Sequence, residues 1–210
     1  MYIVFMLIIF DLDGTLFQAK PVILLAARGL LYELGVPAPD ENRLLRRAAQ
    51  GAEAMLLDLL GDGVYGEGSL ARYEEHLRDA ILEQGELFPG VYKTVEALAG
   101  EGHDMAVCSN SPERYIHLVL EHFGIAKWIP RFCSAESSPS KAAMISDLVK
   151  TGIPAVVVGD THGDIEAAHI NGLPVIAAMY GYGNKELLMT ADGFAESALE
   201  IIPAIAGLTK

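Results

Sequence analysis

Cationic side chains are scarce in this chain. Only 15 Lys and Arg stand against 28 Asp and Glu in 210 residues, a formal charge of −13. Sequence-independent nucleic-acid binding needs clustered Lys and Arg to displace counterions, so a nucleic-acid partner is not expected. The excess of acid reads as solubility and a general negative field, against which an anionic ligand needs a local positive feature. Cysteine is nearly missing too. Cys108 and Cys133 are too few and too isolated for a metal-ligand pattern, and two reduced thiols in a cytosolic protein are expected. The opening apolar run, MYIVFMLIIF, is too short to span a bilayer. It also lacks the basic stretch and small-residue cleavage site of a signal peptide. It is expected to be a buried strand, in a cytoplasmic protein with no membrane partner. Internal repeats and low-complexity tracts are absent, and with 51% hydrophobic residues the chain can build a real core.

From Met105 onward, short apolar runs alternate with longer amphipathic ones. MAVCS (105–109), FCSA (132–135), AVVVG (155–159) and PVIAAM (174–179) are predicted strands, with Ile8–Phe10 as a fifth. A helix capped by Ser111 with Pro112 in its first position is predicted after MAVCS. Others are expected from Ser138-Pro139 to about Lys150, and from AVVVG to a stop at Asn171-Gly172. Ser197 to Glu200 looks like a capping box for a last helix that Pro203 should limit. The pattern implies an α/β fold, a doubly wound, parallel, five-stranded, Rossmann-like sheet. Between Phe17 and Leu87 strand signals vanish. Four helices are predicted there: Pro21–Leu34, one from Asp40 to about Gln50, Ala52–Leu60 and Leu70–Gln84. The division is therefore a core of residues 1–16 and 88–210 and an inserted helical cap of residues 17–87.

The stretch IIFDLDGTLF, residues 8–17, poses the functional question, because a run of buried character drives straight into two carboxylates. Acids beside an apolar wall are costly to ionise without compensation. Ligands of open α/β sheets sit beyond the carboxyl ends of the strands. Strand one ends at Asp11-Leu12-Asp13-Gly14-Thr15 and MAVCS at Ser109-Asn110, while AVVVG runs into Asp160 and Asp164. Lys141 opens the helix before AVVVG. Several acids, a hydroxyl, an amide and one lysine thus converge on one rim, a plausible site for a hard cation such as Mg²⁺. Singly, each has a plainer reading. Asp13-Gly14 can be a turn, Asp164 a helix N-cap, and Ser109 a strand end. The ordered combination is what carries the signal.

In that order, strand–DxDGT, strand–Ser-Asn, Lys, strand–GDxxxD, the chain resembles the haloacid dehalogenase-like hydrolase superfamily. The branch is the one whose helical cap follows the first motif, to which phosphoglycolate phosphatases and β-phosphoglucomutases belong. The resemblance implies that Asp11 is a nucleophile taking a phosphoryl group as an aspartyl-phosphate. It implies that Asp13 protonates the leaving oxygen and then activates water. Ser109 and Lys141 would hold the phosphoryl oxygens. Asp11, the Asp13 carbonyl and Asp160 would bind Mg²⁺, supported by Asp164. Gly14, Thr15 and Asn110 are candidate substrate contacts in the same motifs. So are Arg46, Arg47, Gln50 and Gly51 of the cap, whose plainer reading is a solvated helix end with a glycine stop. A general acid should titrate near its working pH, so Asp13 is expected to lie above Asp11.

An acid at position 13 suits phosphate-ester chemistry, whereas the dehalogenase branch has no leaving alkoxide to protonate. A small phosphorylated metabolite is the expected substrate and phosphatase the favoured activity. A phosphosugar mutase and a non-catalytic phosphate-binding module are the alternatives. Many relatives follow DGTL with Val-Asp-Ser, whereas this chain has Phe17-Gln18-Ala19.

Overall fold

A computed structural model describes residues 5–48, 51–61, 64–66, 68–149 and 152–208. The chain divides into two compact units, residues 1–17 with 87–210, and residues 18–86. Phe17 and Leu87 form an antiparallel bridge where the chain leaves the first unit and returns to it.

The first unit is built on a parallel sheet of β1 (Leu7–Phe10), β2 (Asp104–Ser109), β3 (Arg131–Ser134), β4 (Ala155–Gly159), β5 (Val175–Ala178) and β6 (Gly193–Ala195). The strand order is β3-β2-β1-β4-β5-β6, all pairs parallel. Six strands replace the expected five. The sixth reads only Gly-Phe-Ala and is three residues long, too short to leave a periodic pattern in sequence. β1 is buried at every residue and so is β4, as strands covered on both faces must be. Leu7, Ile9, Ala106, Val157 and Val175 pack on one face with Met144, Ile145 and Ile165 from two helices, Lys141–Leu148 and His162–Ile170. Cys108 and Cys133 are opposite each other on β2 and β3 as free thiols.

The second unit contains α1 (Ala19–Glu33), α2 (Glu41–Ala48), α3 (Ala52–Leu60) and α4 (Ser69–Gln84). Asp40 accepts the Arg43 amide at 3.0 Å, so it caps α2 as its position in sequence suggested. Leu24, Leu30, Leu31, Leu44, Met55, Leu56 and Tyr73 form a separate apolar core. Helix α1 meets α4 at Gly29, where a Cβ would fall 2.8 Å from the His76 ring. Glu33 joins the two helices through Arg72 at 2.7 Å and His76 at 3.0 Å.

Completing the first unit are α5 (Val91–Gly100), α6 (Glu113–His122), α7 (Lys141–Leu148), α8 (His162–Ile170), α9 (Lys185–Leu188) and α10 (Ile201–Leu208). α10 follows a 3₁₀ turn over Ala198–Glu200. Pro203 lies in the first turn of α10, where its missing N–H costs nothing, so the helix runs past it. The expected capping box at Ser197 is replaced by a Glu200 carboxylate that accepts the amide of Glu196 at 3.0 Å. Among the described residues no helix is long and apolar enough to cross a membrane.

Candidate active site

Strand order reverses beside β1, which is flanked by β2 on one side and β4 on the other. The crevice at such a switch point opens at the carboxyl ends of the strands. Asp11 is the first residue past β1, its amide bonded to the Val158 carbonyl of β4 at 2.8 Å. Asp160 is the first residue past β4. Register alone therefore brings these two acids together, across 149 positions of sequence. Beyond Asp11 the chain winds tightly, with the Leu12 carbonyl accepting the Leu16 and Phe17 amides, each at 2.9 Å.

Asp164 occupies the third position of α8, and Thr161, not Asp164, is the N-cap. One Asp164 oxygen, Oδ2, accepts the Thr161 amide at 2.9 Å and its hydroxyl at 2.7 Å. That leaves Oδ1 for Lys141. Lys141 is the first residue of α7, whose cap Ser140 accepts the Ala143 amide at 3.2 Å. The Lys141 ammonium bonds Asp11 Oδ1 at 2.5 Å and pairs with Asp164 Oδ1. Asp11, Asp160 and Asp164 are buried, and one oxygen from each lies within 4.8 Å of the others.

Two glycine-bearing turns make this closeness possible. Gly14 has φ of +94°, and a Cβ there would sit 2.2 Å from Asp160 Oδ2. In the loop after β5, a Cβ on Gly183 would fall 1.9 Å from the Asp160 carbonyl. From the same loop the Tyr182 amide donates to Asp160 Oδ2 at 2.6 Å and the Tyr180 hydroxyl to the Thr15 carbonyl at 2.8 Å. Thr15 itself is buried with its hydroxyl 3.5 Å from Asp160 Oδ1. Gly14 and Thr15 thus support Asp160.

Asp13 is held from a different side. Ser111 Oγ donates to its Oδ2 and the Tyr115 hydroxyl to its Oδ1, both at 2.8 Å. Ser111 is consequently no helix cap. The N-cap of α6 is Pro112, and the Ser111 amide turns to the Ser109 hydroxyl oxygen at 3.1 Å. Ser109 is buried and Asn110 exposed. Nothing local in sequence marks Ser111, Tyr115 or the Tyr180–Gly183 loop as parts of the site. Two glycines just past a strand are the one signal that could have drawn attention to that loop.

Burial dominates the electrostatics. It pushes the Asp11 carboxyl well above its ordinary range; Lys141 opposes the rise, while Asp164 and Asp160 add to it. Asp13 is also raised by burial, against the Ser111 and Tyr115 hydrogen bonds. Both carboxyls are raised first by burial; Asp11 alone faces two further carboxylates, and Asp13 alone accepts two hydroxyls. Asp160 rises to about 6, chiefly by burial and despite the Tyr182 amide. The Lys141 ammonium, conversely, is held charged by Asp11 and Asp164 despite its own burial. Lys141 thus moves as its pairing dictates and Asp11 against it, because burial and two further carboxylates outweigh the one cation that Asp11 shares. Three buried carboxylates against one ammonium leave an excess of two negative charges. An all-oxygen donor set with that excess fits a hard divalent cation. Burial pushes the Cys108 thiol to about 12, which removes it as a nucleophile.

The cap residues are disposed differently. Arg46 is exposed at the end of α2, and Arg47 pairs with Asp58 of α3 at 2.9 Å. Gly51, φ +99°, precedes α3, and Gln50 lies outside the described residues. A cavity of about 290 Å³ lies at the other end of the sheet, lined by His103, Asp104, Lys127, Trp128 and Arg131.

A family model described as haloacid dehalogenase-like hydrolase matches residues 8–178. The chain belongs to that family. This haloacid dehalogenase-like hydrolase is accordingly an enzyme. It is 29% identical to a phosphoglycolate phosphatase of Vibrio parahaemolyticus, over 95% of this chain and 96% of the relative. It is likewise 29% identical to one of Rhodospirillum rubrum, over 90% and 87%. Among solved structures, a predicted phosphoglycolate phosphatase from Haemophilus somnus superposes with a TM-score of 0.79 at 27% identity, covering 95% of this chain and 97% of that one. A haloacid dehalogenase-like family hydrolase from Streptococcus pneumoniae gives 0.78 at 23% identity, over 96% and 98%, a likeness of fold.

Proposed function

We propose that this hydrolase is a Mg²⁺-dependent phosphatase that removes phosphate from a small phosphorylated metabolite through an aspartyl-phosphate on Asp11. One observation carries the reading: a carboxylate at a strand end, contacted by a buried lysine, within a cluster of acids whose charge calls for a divalent cation. Phosphoglycolate is the first substrate to test, since relatives aligned over nearly the whole chain are phosphoglycolate phosphatases.

Asp11, Asp160 and the Asp13 carbonyl would hold Mg²⁺, with Asp164 in support. When bound, the ion would offset the charge of the phosphate oxygens and of the carboxylates around them. An Asp11 oxygen then forms a bond to phosphorus as the bond from phosphorus to the alcohol oxygen breaks. The electron pair stays on that oxygen, which takes a proton from Asp13. In the second half-reaction Asp13 takes a proton from water as the water oxygen attacks phosphorus, releasing Asp11 and inorganic phosphate. Lys141 and Ser109 would bind the transferring oxygens. The Ser109 oxygen accepts the Ser111 amide, so its own O–H can donate to phosphate. The N-terminus of α7 adds positive potential at Lys141, the local feature an anion needs in a chain of −13.

Phosphate release from phosphoglycolate, sugar phosphates, nucleotides and pyrophosphate, each with Mg²⁺ or with chelator, tests the proposal. Turnover that requires Mg²⁺ is expected on at least one small ester; no release from any of them overturns it.

The chelated protein should also show a characteristic pH dependence. A carboxyl whose folded pKa is raised favours the fold while protonated. Asp160, at about 6 against 3.8, therefore lowers stability as pH rises through that window. Melting temperature with chelator is expected to fall between about pH 4 and 6. Excess Mg²⁺ should oppose the fall, with the gap between the curves opening as pH rises through that window. Coincident curves would mean that the acid cluster binds no cation.

A further inference from the structure

The hold on Asp13 goes further than the reaction above requires. A free carboxyl turns easily about its last torsion, which is broad and two-fold. Here each oxygen accepts one hydroxyl at 2.8 Å, Ser111 on Oδ2 and Tyr115 on Oδ1, so the carboxyl plane is fixed. Both donors are anchored in their turn. The Ser111 amide is tied to the Ser109 oxygen. The Tyr115 ring is buried in the first turn of α6, edge-on to Phe17 with centroids 6.3 Å apart. Phe17 is itself fully buried and packs on Phe123 at 5.7 Å. The two hydroxyls take one lone-pair site on each Asp13 oxygen and leave one on each for a proton.

We propose that Ser111 and Tyr115, seated by Phe17, are positioning residues that aim Asp13 at the leaving oxygen. The site is then built for alkyl phosphate monoesters, whose alkoxide must be protonated as it departs. This rests on the phosphatase reading. A proton delivered along a fixed direction matters most where the leaving group is a poor one, and an aryl oxide departs with little help. Misplacing a catalytic group by about 1 Å costs as much as 10²-fold.

The test compares Ser111→Ala, Tyr115→Phe and the double variant on phosphoglycolate or the best alkyl ester found, and on p-nitrophenyl phosphate, all with Mg²⁺. Tyr115→Phe keeps the ring that packs on Phe17, so the fold is retained. Each single variant is expected to lower kcat on the alkyl ester by on the order of 10-fold with KM little changed. That loss should exceed the loss on the aryl ester by on the order of 10-fold. Ser111→Thr, which keeps a hydroxyl, should recover most of the rate. In an Asp13→Asn background the double variant should add no further selectivity, since the group being aimed is gone. Equal losses on the two ester classes, or none on either, overturn the positioning role and leave the phosphatase reading standing. A wild-type enzyme inactive on every ester removes both.

Discussion

Asp11→Asn is expected to abolish phosphoenzyme formation and to lower phosphate-ester turnover by at least about 10⁴-fold, the scale seen when a nucleophile is removed from a concerted site. Asn preserves the shape of Asp but offers no anionic oxygen to phosphorus. The substitution also takes a negative charge out of a place where burial, Asp164 and Asp160 all disfavour it. The folded state should therefore survive, and the chelated variant should melt no lower than the wild type. Activity and melting temperature are expected to separate, as they do where a site is built against stability. Acid-quench trapping of labelled phosphate on the protein, beside steady-state rates and a thermal melt, measures all three. Wild-type-level turnover in the variant would remove Asp11 from the chemistry.

Lys141→Met should do the opposite to stability. The ammonium contacts Asp11 and Asp164, and the Asp164 side chain is entirely buried. Met fills comparable volume but leaves the carboxylates facing one another without a cation. Removing one partner of a buried ion pair costs about 3–5 kcal/mol, and the chelated variant is expected to lose stability on that scale. Mg²⁺ should then stabilise the variant more than the wild type, because the ion would be the only remaining counter-charge in the cluster. Turnover should fall by on the order of 10³-fold even with Mg²⁺ present, since a charge aimed at the transferring phosphoryl group is lost. Melting curves with chelator and with Mg²⁺, alongside rates, read both effects. If the variant melts like the wild type under chelation, the ion pair carries none of the cluster's charge balance.

Much of the scaffold was legible because it is written in short-range pattern. The run before Asp11 and the run before Asp160 are buried along their whole length, and a strand covered on both faces shows as an unbroken apolar stretch. Ala52–Leu60 of the second unit appears with the bounds its composition suggested, and Asn171-Gly172 closes α8. Where pattern was short or its residues served two ends, the reading slipped. β6 is too brief to show periodicity. Ser111 has the composition of a cap, but its hydroxyl is taken by Asp13, a partner 98 residues away. A hydroxyl can satisfy a helix end or a distant carboxylate, and composition does not distinguish the two.

Sequence by itself determined that acids, a hydroxyl and a lysine lie at the ends of apolar strands, because strand and helix periodicities record which positions face a core. It also determined the family, since the order of those motifs survives along the chain. Tertiary structure alone decided which oxygen meets which donor: Lys141 bridging Asp11 and Asp164, Tyr182 and Thr15 on Asp160, Ser111 and Tyr115 on Asp13. The reason is physical. These contacts join residues on separate elements, and strand register and close backbone approach at glycine set their distances, neither of which leaves a periodic mark in the chain.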